Sequence, residues 1–295
     1  MTFEEMLAGW TGPSSDTEQD KQERTERMVR EAVSGHPAFS DCSLKVYAKG
    51  SYPNNTNVRA DSDVDIGVQC QDVFYWDKHP DAAAPSISSY QGIWTSTKLR
   101  SELVEALKAK FGDDVDTTGS TAIRVHSSSA RVDADVVPCF SYRYYSSNEN
   151  YWEGAKTFKK DGTSLVNYPD QHLRKGRDKN NGTNQDFKKL VRIMKRVENA
   201  MFEKGTHPAV PSYFVECLVY NCPDSIIKLS TWAEAVRGLI VHLWDQLDGE
   251  EPVETAERWL EVNEVKFLFH SAQPWTRVEG RAFAKAAWNH LGFTS

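Results

Sequence analysis

Residues 43–68 read SLKVYAKGSYPNNTNVRADSDVDIGV, and the order of features in this stretch decides the fold. Residues 43–49 alternate apolar and polar side chains, as a half-buried strand does, and run straight into Gly50-Ser51. A polar, turn-rich stretch fills residues 53–62 before a second strand pattern, Val64-Asp65-Ile66-Gly67-Val68. In extended chain alternate side chains share a face, so Asp63 and Asp65 point the same way, roughly 7 Å apart. Two carboxylates that close repel each other, and burying them raises at least one pKa. A divalent cation removes that conflict. Magnesium takes oxygen ligands in octahedral geometry, typically one or two carboxylates together with substrate phosphates.

A third acid, distant in sequence and adjacent in a sheet, completes a two-metal clamp for in-line displacement. Asp135, inside the strand-like run RVDADVV at residues 131–137, is the candidate. Asp133 shares its face and Asp61 shares the parity of Asp63, so either can stand in. Gly50-Ser51 after a strand is a place where backbone amides and a hydroxyl cradle phosphate. Alone, an Asp-x-Asp pair is common at strand ends and a Gly-Ser pair is only a turn. Their order here, with a strand-borne aspartate later, is far more specific.

Outward from this core, residues 16–34 read as a charged helix, and residues 97–111 as a helix with Leu99, Leu103, Leu107 and Phe111 on one face. Several short strands follow over residues 115–141. Residues 156–168 form a hairpin pattern whose Asp161-Gly162 supplies the turn. From about residue 184 the chain is helical, with Phe187, Leu190, Val191, Met194, Val197 and Met201 in one apolar stripe. Further helical patterns cover residues 214–220, 232–247 and 281–291. Residues 78–89 and the Lys/Asn/Gly-rich residues 174–183 read as mobile loops. The expectation is an α+β chain: a mixed-sheet lobe over residues 1–165, a helical lobe over residues 166–295, and a ligand cleft between them.

Gly50-Ser51-Tyr52, a loop and Ser62-Asp63-Val64-Asp65-Ile66 resemble the signature of the DNA polymerase β-like nucleotidyltransferases. The longer string GSYPNNTNVRADSDVDIGV, with DADVVPCF at residues 133–140, is similar to the bacterial cGAS/DncV-like nucleotidyltransferases, makers of cyclic oligonucleotide signals in anti-phage defence. NYPDQH (residues 167–172), FKKLVRIMKR (187–196) and SYFVECLVYNCP (212–223) resemble the E clade of that family. The resemblance spans nearly the whole chain.

It implies two Mg2+ (or Mn2+) ions on Asp63, Asp65 and Asp135, and triphosphate contacts from Gly50, Ser51, Lys195 and Ser212. A lysine ammonium is a suitable partner for phosphate oxygens; outside the resemblance, Lys195 reads as a solvated helix charge. Asn167 offers both a donor and an acceptor to one edge of uracil, and in E-clade relatives an Asn before this Tyr-Pro loop goes with pyrimidine use. The implied substrates are ATP and UTP, and the implied product a uridine-containing cyclic dinucleotide such as cyclic UMP–AMP. A downstream effector would read that product.

Bulk properties agree. The net charge of −7 argues against an obligatory duplex nucleic acid partner, which calls for a basic face, while a triphosphate bound through metal brings its own positive charge. Residues 1–10 lack the basic start and apolar run of a signal peptide, and no apolar run reaches the ~20 residues that span a bilayer. The cytoplasm is the expected compartment, and absent heptads suggest a monomer. The five cysteines never form a Cys-x-x-Cys pair, a spacing that points to reduced, packed thiols rather than a disulfide framework or a zinc site. Two other readings share much of the pattern: a nucleotidyltransferase acting on a separate hydroxyl acceptor, and a non-catalytic nucleotide-binding module.

Overall fold

The computed structural model describes residues 1–13, 15–58, 63–86, 89–147 and 150–293. Asp61, one of the stand-in carboxylates, lies outside them. The chain divides into two compact units: Ser14–Pro53 with Arg59–Asp170, and Met1–Pro13 with Asn54–Val58 and Gln171–Ser295. The division at 165/166 read from the sequence treats each half as one stretch. In the structure residues 1–13 and the short segment Asn54–Val58 group with the helical half.

The first unit is a mixed sheet backed by two helices. Strands β1 (Leu44–Lys49), β2 (Val64–Lys78), β3 (Val115–Asp116), β4 (Ile123–Val125), β5 (Ala134–Tyr145), β6 (Tyr151–Phe158) and β7 (Ser164–Asn167) pair in the order β1-β2-β5-β4-β3, with β6 also on β5 and β7 on β6. Among the described strands only β2 and β5 run parallel. Val64, Ile66 and Val68 of β2 are fully buried with Val136 of β5, in one cluster with Val29 of helix α2 (Asp16–Ser34) and Leu99, Leu103 and Leu107 of α3 (Ser96–Phe111). Because side chains alternate along a strand, covering that face leaves Asp65 and Asp135 on the other.

Both long strands exceed the sequence reading for a physical reason. In β2 the register with β5 jumps between Cys70 and Phe74; such a bulge breaks the period-two pattern, and the alternation seen to Val68 does not continue to Lys78. In β5 Pro138 looks like a stop, since proline cannot donate to a ladder. Here β4 pairs only with residues 134–136 and β6 only with residues 140–145. Proline thus falls in the gap between two partners on one edge, a place where strands tolerate it.

The helical unit holds α1 (Phe3–Gly9), α4 (Pro169–Gly182, from Gln171 on), α5 (Asp186–Glu203), α6 (Ser212–Tyr220), α7 (Asp224–Ile227), α8 (Trp232–Gln246) and α9 (Arg277–His290). The apolar stripe of α5 is its centre: Leu190, Val191, Met194, Val197 and Met201 are fully buried, packed with Leu7, Phe214, Leu239 and Phe283. The loop expected over residues 174–183 is instead mostly α4. Its intrinsic helix propensity is poor, and tertiary contacts override it. Lys179 caps Cys222 O at 2.9 Å and the Asp224 carboxylate at 2.8 Å, while Gly176 lies against Asn54 and Val262. No helix among the described residues is long and apolar enough to cross a membrane.

Candidate active site

Parallel pairing of β2 and β5 sets Asp65 directly beside Asp135, and β4 sets Arg124 opposite Asp135 on its other side. Asp63 lies one residue before β2. The Arg124 guanidinium donates to both Asp63 oxygens at 3.0 Å and to Asp133 at 3.0 Å, and it stands 3.8 Å from Asp135. Lys49, the last residue of β1, stands 3.7 Å from Asp65. One arginine and one lysine therefore face four aspartates.

The pKa directions separate those acids. Burial pushes Asp63 up, and the neighbouring Asp133 and Asp65 charges add to this beyond what Arg124 offsets. Burial likewise raises Asp135, with Arg124 opposing and Asp63 and Asp65 reinforcing. Asp133 is the opposite case. Burial would raise it too, but Arg124, the Ser127 N–H at 2.5 Å and His126 hold its carboxyl below the ordinary value. Asp133 is held by Arg124 and the Ser127 amide together, whereas at Asp63 and Asp135 burial and the neighbouring acids outweigh what Arg124 offsets. The oxygens of Asp63, Asp65 and Asp135 do not all lie within 4.8 Å of one another, as expected of like charges with an arginine wedged among them. A pair of ions about 3.5–4 Å apart suits carboxylates spread in this way.

Gly50 and Ser51 follow β1 at the same end. Gly50 has φ +75°, a left-handed conformation that glycine alone adopts freely, and a Cβ there would collide with the Asp65 carboxylate. The turn is thus pressed against the second aspartate, with Ser51 beside it. At the far end of the face Asn167 ends β7, exposed and registered with Ala155 of β6. A side chain on Gly154 would come within 2.8 Å of the Asn167 carbonyl oxygen and 3.1 Å of the Tyr168 ring, so this glycine lets the Asn-Tyr-Pro turn close down on β6.

Lys195 and Ser212 belong to the helical unit. Ser212 is exposed at the first turn of α6. Lys195 is only 3% exposed and donates to Thr56 O at 3.1 Å, Thr56 Oγ1 at 3.3 Å and Glu216 Oε2 at 3.1 Å. Glu216 also accepts from the Thr56 hydroxyl at 2.8 Å and lies 2.8 Å from His172 Nε2. Burial alone would raise Glu216, but Lys195, His172 and Thr56 hold it well below the carboxylate range. Arg192 donates to the Asn55 and Thr11 carbonyls. Together these groups clasp residues 54–56, the segment that joins the Gly50-Ser51 turn to the Asp63 strand in sequence.

Three of these participants escaped the sequence reading. Arg124 sits in a three-residue strand, Ile123–Val125, too short for periodicity to register. Thr56 and Glu216 lie 160 residues apart and look like an ordinary loop threonine and helix glutamate. For Glu216 a signal existed: it interrupts an otherwise apolar helix, YFVECLVY, where a charge is retained only with a partner.

The sheet unit with paired strand-end aspartates beside a Gly-Ser turn defines a nucleotidyltransferase-like catalytic unit, and comparison with known proteins sharpens this. Residues 174–292 match the cGAS/DncV-like nucleotidyltransferase C-terminal helical domain. Over 294 residues the chain is 37% identical to the cyclic dipyrimidine nucleotide synthase CdnE of Cecembia lonarensis, covering 98% of each. Among solved structures, Rhodothermus marinus CdnE c-UMP-AMP synthase with Apcpp and Upnpp superposes with a TM-score of 0.83 at 27% identity, covering 99% of this chain and 98% of that one. Elizabethkingia meningoseptica CdnE cyclic dinucleotide synthase with GTP and Apcpp gives 0.82 at 30%, covering 98% and 99%. The chain belongs to the cGAS/DncV-like nucleotidyltransferases, in their CdnE branch (the E clade).

Proposed function

We propose that this chain makes a cyclic oligonucleotide from nucleoside triphosphates with release of pyrophosphate, and that the product is a uridine-containing cyclic dinucleotide. The observation that carries the chemistry is the convergence of Asp63 and Asp65 at the start of β2 with Asp135 on the parallel neighbour β5. Such a set calls for cationic charge, and its all-oxygen donors suit Mg2+ or Mn2+. Asp63, Asp65 and Asp135 would hold two ions, which supply charge neutralisation at the phosphates and at the attacking hydroxyl. Asp135 is favoured over Asp133 because Asp133 is already hydrogen-bonded to Arg124 and Ser127.

Gly50 and Ser51 offer an amide and a hydroxyl to the triphosphate, and in the helical unit Ser212 offers an exposed hydroxyl at a helix start. Lys195, paired with Glu216, holds Thr56. In each round a ribose hydroxyl gives its proton to Asp135 and its oxygen bonds the α-phosphorus of the other nucleotide. The bond from that phosphorus to pyrophosphate breaks. A second round on the linear dinucleotide closes the ring. Uridine use rests on the exposed carboxamide of Asn167 and on the dipyrimidine and UMP-AMP products named for the Cecembia and Rhodothermus relatives. The reaction needs no duplex nucleic acid, and the acidic chain works as a monomer in the cytoplasm, its product read by a separate effector.

The test is to incubate the protein with all four labelled triphosphates and Mg2+ or Mn2+, then treat with phosphatase and weigh what survives. A phosphatase-resistant ring containing UMP is the expected result. A linear product, or transfer only when a hydroxyl acceptor is added, overturns the proposal.

A further inference from the structure

Away from the carboxylate site, at the bulge midway along β2, two cysteines and an aspartate converge. Cys42 precedes β1 and Cys70 lies in β2. Their sulfurs are 3.6 Å apart, and with a carboxylate oxygen of Asp72 all three atoms lie within 4.8 Å of one another. We propose that Cys42, Cys70 and Asp72 bind a thiophilic divalent cation of the zinc class, at a site distinct from the Mg2+ carboxylates.

The spacing of the donors is the first argument. With metal–sulfur bonds of about 2.3 Å, two thiolates on a tetrahedral ion stand roughly 3.8 Å apart. The observed 3.6 Å separation therefore admits an ion with almost no rearrangement of the sulfurs. The carboxylate supplies a third corner and water the fourth.

Preorganisation is the second. The bulge between Cys70 and Phe74 breaks the strand's alternation, and Asp72, two residues on, brings a carboxylate oxygen within 4.8 Å of both sulfurs. Across the ladder the Ser43 N–H holds the Asp72 carboxylate at 3.2 Å. Bulges of this type recur where a side chain is re-aimed for a purpose.

Missing charge is the third. No Lys, Arg or His among the described residues pairs with Asp72. The contrast is the cluster of His36, Glu102 and Glu105, where the Lys98 ammonium already sits 2.5 Å from Glu102. Soft sulfur ligands select zinc-like ions, whereas the all-oxygen aspartates select magnesium, so the two sites do not compete. Burial keeps both thiols protonated without metal. Coordination therefore releases two protons to solvent, one from each S–H, as two metal–sulfur bonds form.

The test uses the full chain, reduced and stripped with chelator, and titrates Co2+ in the presence of excess Mg2+. The expected result is a sulfur-to-cobalt charge-transfer band that saturates at one equivalent and is displaced by Zn2+. The partly exposed Cys42 thiol becomes protected from alkylation, and Tm rises with metal. Cys42→Ser abolishes the band, and Asp72→Asn weakens binding by about tenfold or more. Cys42 is partly exposed, so its variant folds even if one at the buried Cys70 does not; circular dichroism checks this. A wild-type protein without the band, or a band that survives in Cys42→Ser, overturns the assignment.

Discussion

The two units each hold a carboxylate beside a cation, and the outcomes are opposite. In the helical unit Glu216 is buried, faces Lys195, His172 and Thr56, and is held far below the carboxylate range. In the sheet unit Asp63 and Asp135 share one arginine with Asp133 and are raised. Glu216 has its counter-charge built in, so it holds structure together. The aspartates lack theirs, so they are poised to take a cation from solution. A buried charge pair is weak evidence of net stability, yet breaking it by removing one partner is costly; an under-neutralised cluster is costly to the fold and useful to chemistry.

The sharpest way to break this contrast is to neutralise the sheet aspartates. Asp63→Asn combined with Asp65→Asn should lower cyclic product formation by about a thousandfold or more, because the cationic stabilisation of the reacting phosphate goes with it. Thermal melting should show the fold intact, and melting without metal should not fall, since relief of the repulsion among the acids offsets the lost Arg124–Asp63 and Lys49–Asp65 contacts. Product formation near the wild-type rate would mean that these aspartates do not hold the ions.

The matching change in the helical unit should act on stability. Glu216→Gln leaves the buried Lys195 ammonium without its anion, a loss of about 3–5 kcal/mol by analogy with other broken buried pairs, read by urea unfolding. The pH dependence carries a sign. A carboxyl whose folded pKa is depressed contributes stability present above its unfolded value, near 4.5, and lost as pH falls through the folded one. Wild-type stability should therefore decline on acidification below about pH 4.5, and that part of the decline should be flattened in Glu216→Gln. Asp63 and Asp135, being raised, run the other way: their share is present below the unfolded value, near 3.8, and lost as pH rises through the raised one. An unchanged acid limb in the variant would show that Glu216 is not the residue whose charge stabilises the helical unit.

Arg124 sharpens the comparison at smaller scale. It is the sheet unit's counterpart of Lys195, but it serves three carboxylates and is partly exposed. Arg124→Gln should tighten Mn2+ binding to the nucleotide-free protein by roughly three- to tenfold, since one positive charge leaves a cluster that competes for cations; the gain should shrink at high salt. Manganese relaxation or calorimetry measures it directly. Weaker binding would make Arg124 a support for the site rather than a stand-in for the ion.

How much of this was legible in the sequence follows the same division. Local pattern revealed the strand-end aspartates, the Gly-Ser turn and the α5 stripe, because each is a short-range signal with a fixed period. It missed what depends on partners. The length of β2 was hidden by a bulge. Helix α4 is built from Lys, Asn and Gly and stands because Lys179 and Gly176 find tertiary contacts. The Thr56–Glu216–Lys195 clasp and the Cys42–Cys70 pair join residues that no spacing rule connects. Asp135 could not be separated from Asp133 by parity alone, and the hydrogen bonds that occupy Asp133 now distinguish them.

The smallest expected effect concerns specificity. Asn167 ends β7 with its side chain exposed, fixed by its backbone register to Ala155. A carboxamide there can donate to one uracil edge atom and accept from another, whereas serine presents a single shorter hydroxyl. Asn167→Ser should therefore cost about one net hydrogen bond to uridine, roughly 0.5–1.5 kcal/mol, and lower UMP incorporation relative to AMP by about three- to tenfold. Equimolar UTP and ATP with mass analysis of the rings gives the ratio, and kcat/KM for each nucleotide shows which side has moved. Since Asn167 ends β7, two strands from β5 and its Asp135, total turnover with the preferred purine should stay near wild type. An unchanged ratio would leave base choice to other residues on this sheet face. A fall in all products together would mean that the substitution had disturbed the turn held against Gly154 rather than a contact to the base.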